Sequence, residues 1–374
     1  YIFVQGGPGS GKTFYTANAI VELLKKNKKI AVSANSHKVI HNLLERIENI
    51  AINQDFVFKG LKKGNPNDID SFYDGKLIKT ESNERKYIDG LKDNKILLYA
   101  GTKYHLASWY YRSKIDFLFI EEASQFVLAD LISLGGIAKN IVLVGDQQQL
   151  GQPTQGSHPN LSGNSVLEYL LEGKDTVPAD MGIFLTRTYR MHPNINTFIS
   201  ENFYENKLLT NPQNQNRKID FPKNFFINKE GIHTILMDHE DCKQTSEQEF
   251  KKIDEIIKKL IGKKFTDVDK KERSLTIKDF LIVAPYNAQV NFLLARLPEG
   301  TRCGTIDRFQ GQEAPITIIS MTSSDLESLP RNKSFFFNSN RLNVAISRAQ
   351  CLSVILFNPK LLESPPKTYE EFKM

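Results

Sequence analysis

The run Gly6-Gly7-Pro8-Gly9-Ser10-Gly11-Lys12-Thr13 constrains this chain more than any other stretch. It satisfies the spacing G-x-x-x-x-G-K-[ST] at every position, directly after the apolar residues 1–4 and directly before a helical pattern. Each residue type has a task in such a loop. Glycines let backbone N–H groups turn inward around a polyphosphate, and the helix that follows adds the positive end of its dipole. Lys12 can reach the β- and γ-phosphates as a point charge, and Thr13 can offer its hydroxyl to Mg²⁺. A glycine-rich turn that binds nothing needs neither the lysine nor the strand–loop–helix order. The chain is read as a nucleotide-binding NTPase, with residues 6–13 around the phosphates.

At 374 residues the chain is long for one core and suggests two domains. Its 40% hydrophobic and 25% charged residues are ordinary for a globular protein. No apolar run approaches a membrane span and the first residues form no signal peptide, so no membrane role is expected. The sequence opens inside a core strand and without an initiator Met, which reads as a fragment of a longer polypeptide. Cys242, Cys303 and Cys351 are far apart and form no C-x-x-C pair, a pattern that suits a reducing cytoplasm and indicates no zinc ribbon. A net charge of +6 leans mildly toward a polyanionic partner. His37 and His41 share one helix face at i, i+4, yet lack the glutamate of H-E-x-x-H and a third ligand, so a metal role is not expected for them.

Short apolar strands alternate with amphipathic helices, the signature of parallel α/β sheets. Strands are expected at 1–4, 30–33, 96–99, 115–120 and 141–144, mostly without alternation, as befits strands buried on both faces. A helix fits 36–50. Residues 59–93 turn polar and read as a small insertion over the first sheet. The pattern restarts after Gly182, with strands at 183–186, 234–237, 280–284, 316–321 and 352–356 and helices at 246–261 and 287–297. The fold class is therefore α/β with two parallel-sheet domains, residues 1–180 and 181–374. The polar stretch 151–180 forms the boundary, and the tail after Pro359, with Pro365-Pro366, ends the second domain.

Phe117-Leu118-Phe119-Ile120-Glu121-Glu122 is an apolar strand ending in two carboxylates. A phosphate-loop enzyme needs one acid for the Mg²⁺ shell and another to activate the attacking water. Leu143-Val144-Gly145-Asp146-Gln147-Gln148-Gln149-Leu150 is a second strand end, where Gln149 could sense the γ-phosphate. Three blocks follow in the second half: Arg187-Thr188-Tyr189-Arg190-Met191-His192-Pro193, Thr305-Ile306-Asp307-Arg308-Phe309-Gln310-Gly311-Gln312-Glu313, and Asn340 through Ala349.

In this order and spacing the blocks resemble the motifs of superfamily 1 helicases, in the branch that includes the nonsense-mediated-decay helicase and the eukaryotic nuclease-helicase of Okazaki-fragment processing. Ser36-His37-Lys38, Gln155 through Pro159, Phe198 through Tyr204 and Asn340 through Gln350 are similar to the helicase half of bacterial proteins that fuse a RecB-like nuclease to such a motor. The resemblance implies two RecA-like domains with ATP and Mg²⁺ between them. Arg190 and Arg348 match arginines that act on the γ-phosphate, Tyr189 a residue that packs on adenine, and Glu313 one that bonds the ribose. Ser33, Asn35 and Thr102 match first-domain contacts to nucleic-acid phosphates, and Tyr286, Gln289 and Thr305 match their second-domain counterparts. Hydroxyls and amides at strand ends suit contacts that position without reading bases. Trp109, Tyr110 and Tyr111 form either a stacking platform or core. In the family the metal acid comes first and the catalytic acid second, which implies Glu121 for Mg²⁺ and Glu122 for the water; Glu121 stands where the family usually has Asp, a longer side chain that implies retained but slower turnover. The glutamine that reads adenine in the family would lie before Tyr1. The implied activity is an ATP-driven translocase or helicase on a single strand, DNA rather than RNA, moving 5′→3′ as a monomer with a nuclease domain upstream. An ATP-gated clamp that unwinds nothing is the alternative.

Overall fold

The structure, a computed structural model, describes residues 1–152, 162–309, 311–325 and 338–363. The expectations for Gln155–Pro159, Gln310 and the tail with Pro365-Pro366 fall outside these residues. The chain divides into two compact units. The first comprises Tyr1–Gly7, Gly11–Gln147 and Gly151–Leu185, and the second comprises Pro8–Ser10, Gln148–Leu150 and the chain from Thr186 onward. Among the described residues no helix is long and apolar enough to cross a membrane.

The first unit is built on β1 (Ile2–Gly6), β2 (Ile30–Ser33), β3 (Lys59–Lys63), β4 (Ile78–Glu81), β5 (Ile96–Ala100), β6 (Ile115–Ile120), β7 (Ala138–Gly145) and β8 (Gly182–Leu185). They form one parallel sheet in the order β4-β3-β5-β2-β6-β7-β1-β8. Helices α1 (Lys12–Lys25) and α2 (His37–Asn53) follow β1 and β2. Each buries one stripe at helical spacing: Ala17, Ile20, Val21 and Leu24 from α1, and Ile40, Leu43, Leu44, Ile47 and Ala51 from α2. Ser36 caps α2, its hydroxyl accepting from the Val39 N–H at 3.4 Å. Removing one of these leucines to alanine costs about 2–5 kcal/mol, so this stripe sets where the loop after β1 and the turn after β2 stand. The opposite core contains Phe3, Tyr99, Leu118, Ile120, Phe126 and Val166, with contributions from the later helices α3 (Glu84–Gly90), α4 (Lys103–Leu106), α5 (Leu128–Leu134) and α6 (Val166–Leu171). Tyr111 is buried in that core rather than offered for stacking. The side chain of Trp109 lies outside the description.

Two expectations change here. Residues 59–93 do not lie over the sheet; they lengthen it, because β3 pairs with β5 and carries β4 as the outer strand. Glu48 on α2 fixes this addition: its buried carboxylate accepts from the N–H groups of Leu77 (2.6 Å), Ile78 (2.7 Å) and Lys76 (3.2 Å), and from the Tyr73 hydroxyl (2.9 Å). The strand expected to open the second half is instead β8, which lies against β1 with Val4 opposite Ile183. Gly182 permits that approach, since a Cβ there would stand 2.3 Å from the Phe3 carbonyl oxygen. The first sheet therefore ends at Leu185, past the boundary read at 180.

The second unit adds the short strands β9 (Arg187–Thr188), β10 (Leu209–Thr210) and β11 (Lys218–Ile219), and the main strand β12 (Gly231–Leu236). After β13 (Lys264–Thr266) and β14 (Glu272–Ser274) come β15 (Phe280–Val283), β16 (Arg302–Gly304), β17 (Ala314–Ser320) and β18 (Ala349–Phe357). The main parallel sheet runs β12-β18-β17-β15-β16. Helices α7 (Pro193–Phe203), α8 (Glu247–Leu260), α9 (Asn287–Leu294) and α10 (Ser339–Ile346) accompany it. Beyond the end of β17 a buried polar knot forms around Glu249. Its carboxylate accepts from the Thr322 N–H at 3.0 Å and from the Ser320 hydroxyl, and stands 3.3 Å from His239 Nε2. Thr322 takes a left-handed φ of 70°, a costly conformation for a β-branched residue that these bonds hold in place.

Candidate nucleotide and nucleic-acid sites

The phosphate loop is delivered by β1 and ends in Gly11, a left-handed residue (φ 80°) at the N-cap of α1. Gly9 is also left-handed (φ 69°), and a Cβ there would stand 2.3 Å from that of Arg190. A side chain at Gly9 would therefore have to displace backbone. Lys12 Nζ donates to the Gly6 carbonyl, folding back over the loop. The Ser10 hydroxyl is buried and finds no hydrogen-bond partner among the described residues. Thr13 stands half-buried in the first turn of α1.

β6 brings Glu121 and Glu122 to the same unit. Glu121 is 3% exposed, its N–H donates to the Ser33 carbonyl at 2.9 Å, and its Oε1 has no hydrogen-bond partner among the described residues. Burial above all, then the adjacent Glu122, pushes its carboxyl up to about 8 against the pull of Lys12. Glu122 ends the strand in the left-handed region (φ 53°, ψ 48°), a conformation that costs a non-glycine residue about 1–2 kcal/mol. A buried carboxylate with an open oxygen and a nearby lysine is the environment a hard cation would relieve, and the all-oxygen set of Glu121 and Thr13 fits Mg²⁺.

In the second unit Arg190 is 9% exposed; its Nε donates to Glu313 and its Nη1 to the Ser347 carbonyl at 3.1 Å. Burial raises the Glu313 carboxyl, but Arg190 and the Gln350 amide outweigh it and hold the group below the usual range. The two residues expected on separate parts of the nucleotide are thus bonded to each other. Arg348 is 2% exposed and donates to the Gln312 carbonyl at 3.3 Å. Tyr189 is 44% exposed. The segment Gln148–Leu150 groups with this unit. There the Gln148 and Gln149 carbonyls accept from Asn343 Nδ2 (2.7 Å) and Asn340 Nδ2 (3.1 Å) of α10. Sequence reasoning missed these asparagines as partners. It also missed Arg217, whose buried guanidinium donates to the Tyr189 carbonyl at 3.3 Å and lies near Glu313. No motif marks Arg217.

Ser33, Asn35 and Thr102 follow the carboxyl ends of the neighbouring strands β2 and β5. The Ser33 hydroxyl is buried without a partner, and Asn35 Nδ2 reaches Gln125 at 3.5 Å. Thr102 is half-buried before α4. Gln289 is a correction. It is fully buried, accepting from the Ser246 N–H at 3.0 Å and donating to Ser320 Oγ at 3.1 Å, so its amide joins the cap of α8 to β17 instead of standing open at a surface. Tyr286, 6% exposed, packs mainly with Leu361, Met321 and Phe357. Thr305 lines an apolar cavity of about 70 Å³ with Pro285, Ile306, Met321 and Leu342.

Two sequence profiles, each described as an AAA domain, match residues 163–360 and 1–154, the first alone covering more than half of the chain. The chain belongs to the AAA-domain family, among the superfamily 1 helicases. Curated relatives of this chain include the DNA replication ATP-dependent helicase/nuclease dna2 of Schizosaccharomyces pombe, 26% identical over 97% of this chain and 27% of the relative. The DNA polymerase alpha-associated DNA helicase A of the same yeast is 26% identical over 92% of this chain and 59% of its own length. The chain thus spans only part of either relative. Among solved structures, arterivirus nonstructural protein 10 (helicase) with DNA has a TM-score of 0.51 at 14% identity, covering 96% of this chain and 60% of that one. That likeness shows the fold, two RecA-like domains.

Proposed function

We propose that the chain is the motor of an ATP-driven translocase that moves 5′→3′ along single-stranded DNA, and that a RecB-like nuclease precedes it in the full polypeptide. It acts as a monomer in the cytoplasm. The observation that carries the reading is Glu121: a buried carboxylate with an open oxygen, beside Lys12 and immediately before a strained Glu122. Left alone, such a group holds its proton near neutral pH, and a bound cation would favour the ionised, ligating form. In this reading Gly6–Thr13 hold the phosphates of ATP, with Thr13 and Glu121 toward Mg²⁺, which when bound neutralises charge on the phosphate oxygens. Glu122 takes the proton of the attacking water. Arg190 and Arg348 stabilise charge on the transferring phosphoryl group, and Gln149 reports its loss through its carbonyl, which accepts from the Asn340 side chain of α10. Tyr189 packs on adenine. Ser33, Asn35, Thr102 and Thr305 hold strand phosphates.

The test is ATPase activity with and without single strands of DNA and RNA, followed by strand displacement on duplexes with a 5′ or a 3′ tail. Stimulation by DNA and displacement from the 5′ tail are expected. ATPase that no strand stimulates, with no displacement from either tail, would leave a nucleotide-gated clamp as the better reading.

A further inference from the structure

The added edge of the first sheet places a buried cation under the start of α2. Lys62 of β3 lies opposite Ala100 of β5 and is 0% exposed. Its ammonium stands 3.2 Å from His37 Nδ1, the first residue of α2. An ammonium has three donors and no acceptor, so Nδ1 must accept, and a neutral imidazole then carries its proton on Nε2. Burial and the charge of Lys62 both lower the His37 pKa, which keeps the ring neutral near pH 7. Lys62, itself lowered by burial to about 8, keeps most of its charge there. Nε2 faces Asp68 Oδ2 at 3.7 Å, beyond hydrogen-bond range. Asp70 and the ring of His41, 6.2 Å away between centroids, complete the surroundings. The open N–H groups of the first turn of α2 lie at the same place. The Ser33 hydroxyl, at the end of the strand that leads into α2, is buried without a partner among the described residues.

We propose that Lys62 fixes His37 in its Nε2–H form so that His37 donates to a phosphodiester of a bound single strand, with Asp68 as the competing anion. The inference rests on the single-strand reading above and extends its contacts beyond Ser33 and Asn35. Lys62 is a positioning residue and His37 is the donor. Because the donor is neutral, it adds affinity without releasing counterions, unlike a lysine contact.

The experiment is fluorescence anisotropy of labelled oligo-dT over a salt series at pH 7, with binding of a fluorescent ATP analogue as the check on folding. His37→Ala should weaken the strand roughly ten- to a hundredfold, the loss of one hydrogen bond to a charged group, with the log–log salt slope unchanged. Lys62→Met should weaken it similarly, and should add almost nothing in the His37→Ala background. Asp68→Asn should tighten binding, and nucleotide affinity should hold in every variant. Inorganic phosphate at matched ionic strength should not displace the strand. The inference is overturned if His37→Ala binds like the parent, if its slope falls by about 0.7 as for a lost cation, if the two weakening changes simply add, if Asp68→Asn weakens binding, or if micromolar phosphate competes. A parent protein that binds no single strand defeats the translocase reading itself, a result distinct from all of these.

Discussion

Glu313→Gln separates two roles for one residue. Family resemblance puts Glu313 on the ribose, whereas the structure bonds it to Arg190 Nε and to the Gln350 amide at 2.8 Å. The substitution keeps side-chain volume and a hydrogen-bonding oxygen but removes the charge. A hydrogen bond to a charged partner contributes about 1.5–3 kcal/mol and a neutral one about 0.5–1.5. Glu313 is 41% exposed on its side chain, which screens the pair and favours the lower end of that difference. Roughly 1 kcal/mol is then lost in holding Arg190, equivalent to about a fivefold change. If Arg190 acts on transition-state charge, the loss falls on kcat while KM for ATP stays within about twofold. Steady-state ATPase at saturating single strand measures both constants. In an Arg190→Ala background, already slowed by on the order of 10³, Glu313→Gln should have no further effect. A raised KM with unchanged kcat, in either background, would refute the positioning argument and return Glu313 to the nucleotide.

Lys12→Ala should abolish ATP hydrolysis; turnover within a few-fold of the parent would remove the phosphate-loop assignment. Arg348→Ala should retain nucleotide affinity while turnover falls by on the order of 10³, as read by analogue titration beside kinetics. Glu122→Gln should hold ATP unhydrolysed on the protein, whereas Glu121→Asp should preserve or raise turnover, and the reverse pattern would exchange the two acids. Gln289→Ala leaves the buried Ser246 N–H without its acceptor and takes one donor from Ser320 Oγ, which keeps its bond to Glu249, a loss of about 2–3 kcal/mol. The melting temperature should drop by roughly 5–10 °C with strand affinity unchanged, and a selective loss of strand binding would restore Gln289 to the interface.

Where local chemistry and local pattern coincide, the chain could be read directly. Strand β6 spans the expected 115–120, because Ile115 to Ile120 is apolar and is closed by the two acids. Helices α2 and α8 start after Ser36 and Ser246, each a hydroxyl cap before an apolar stripe. Strand β3 was illegible, since Lys59-Gly60-Leu61-Lys62-Lys63 has no apolar face. Its place depends on pairing with β5 and on Glu48, whose bonds to residues 76–78 no local pattern encodes. The site divides in the same way. Residues 6–13 and 121–122 lie in short windows where the chemistry dictates the order, whereas Arg190 and Glu313 meet across 123 positions. Gln289 matched a family position by spacing, but spacing carries no information on burial.

Strand β1, which carries the phosphate loop, pairs with β7 on one side and β8 on the other. During synthesis the loop's supporting strand therefore waits, unpaired, while the ribosome adds residues through 145, and one flank stays open until 185 has emerged. At about 5–20 residues per second that exposure lasts on the order of ten seconds or more. Nucleotide cannot nucleate the unit early, because its cradle is among the last parts completed. Nascent chains stalled before residue 185 should be the ones that chaperones hold and proteases cut.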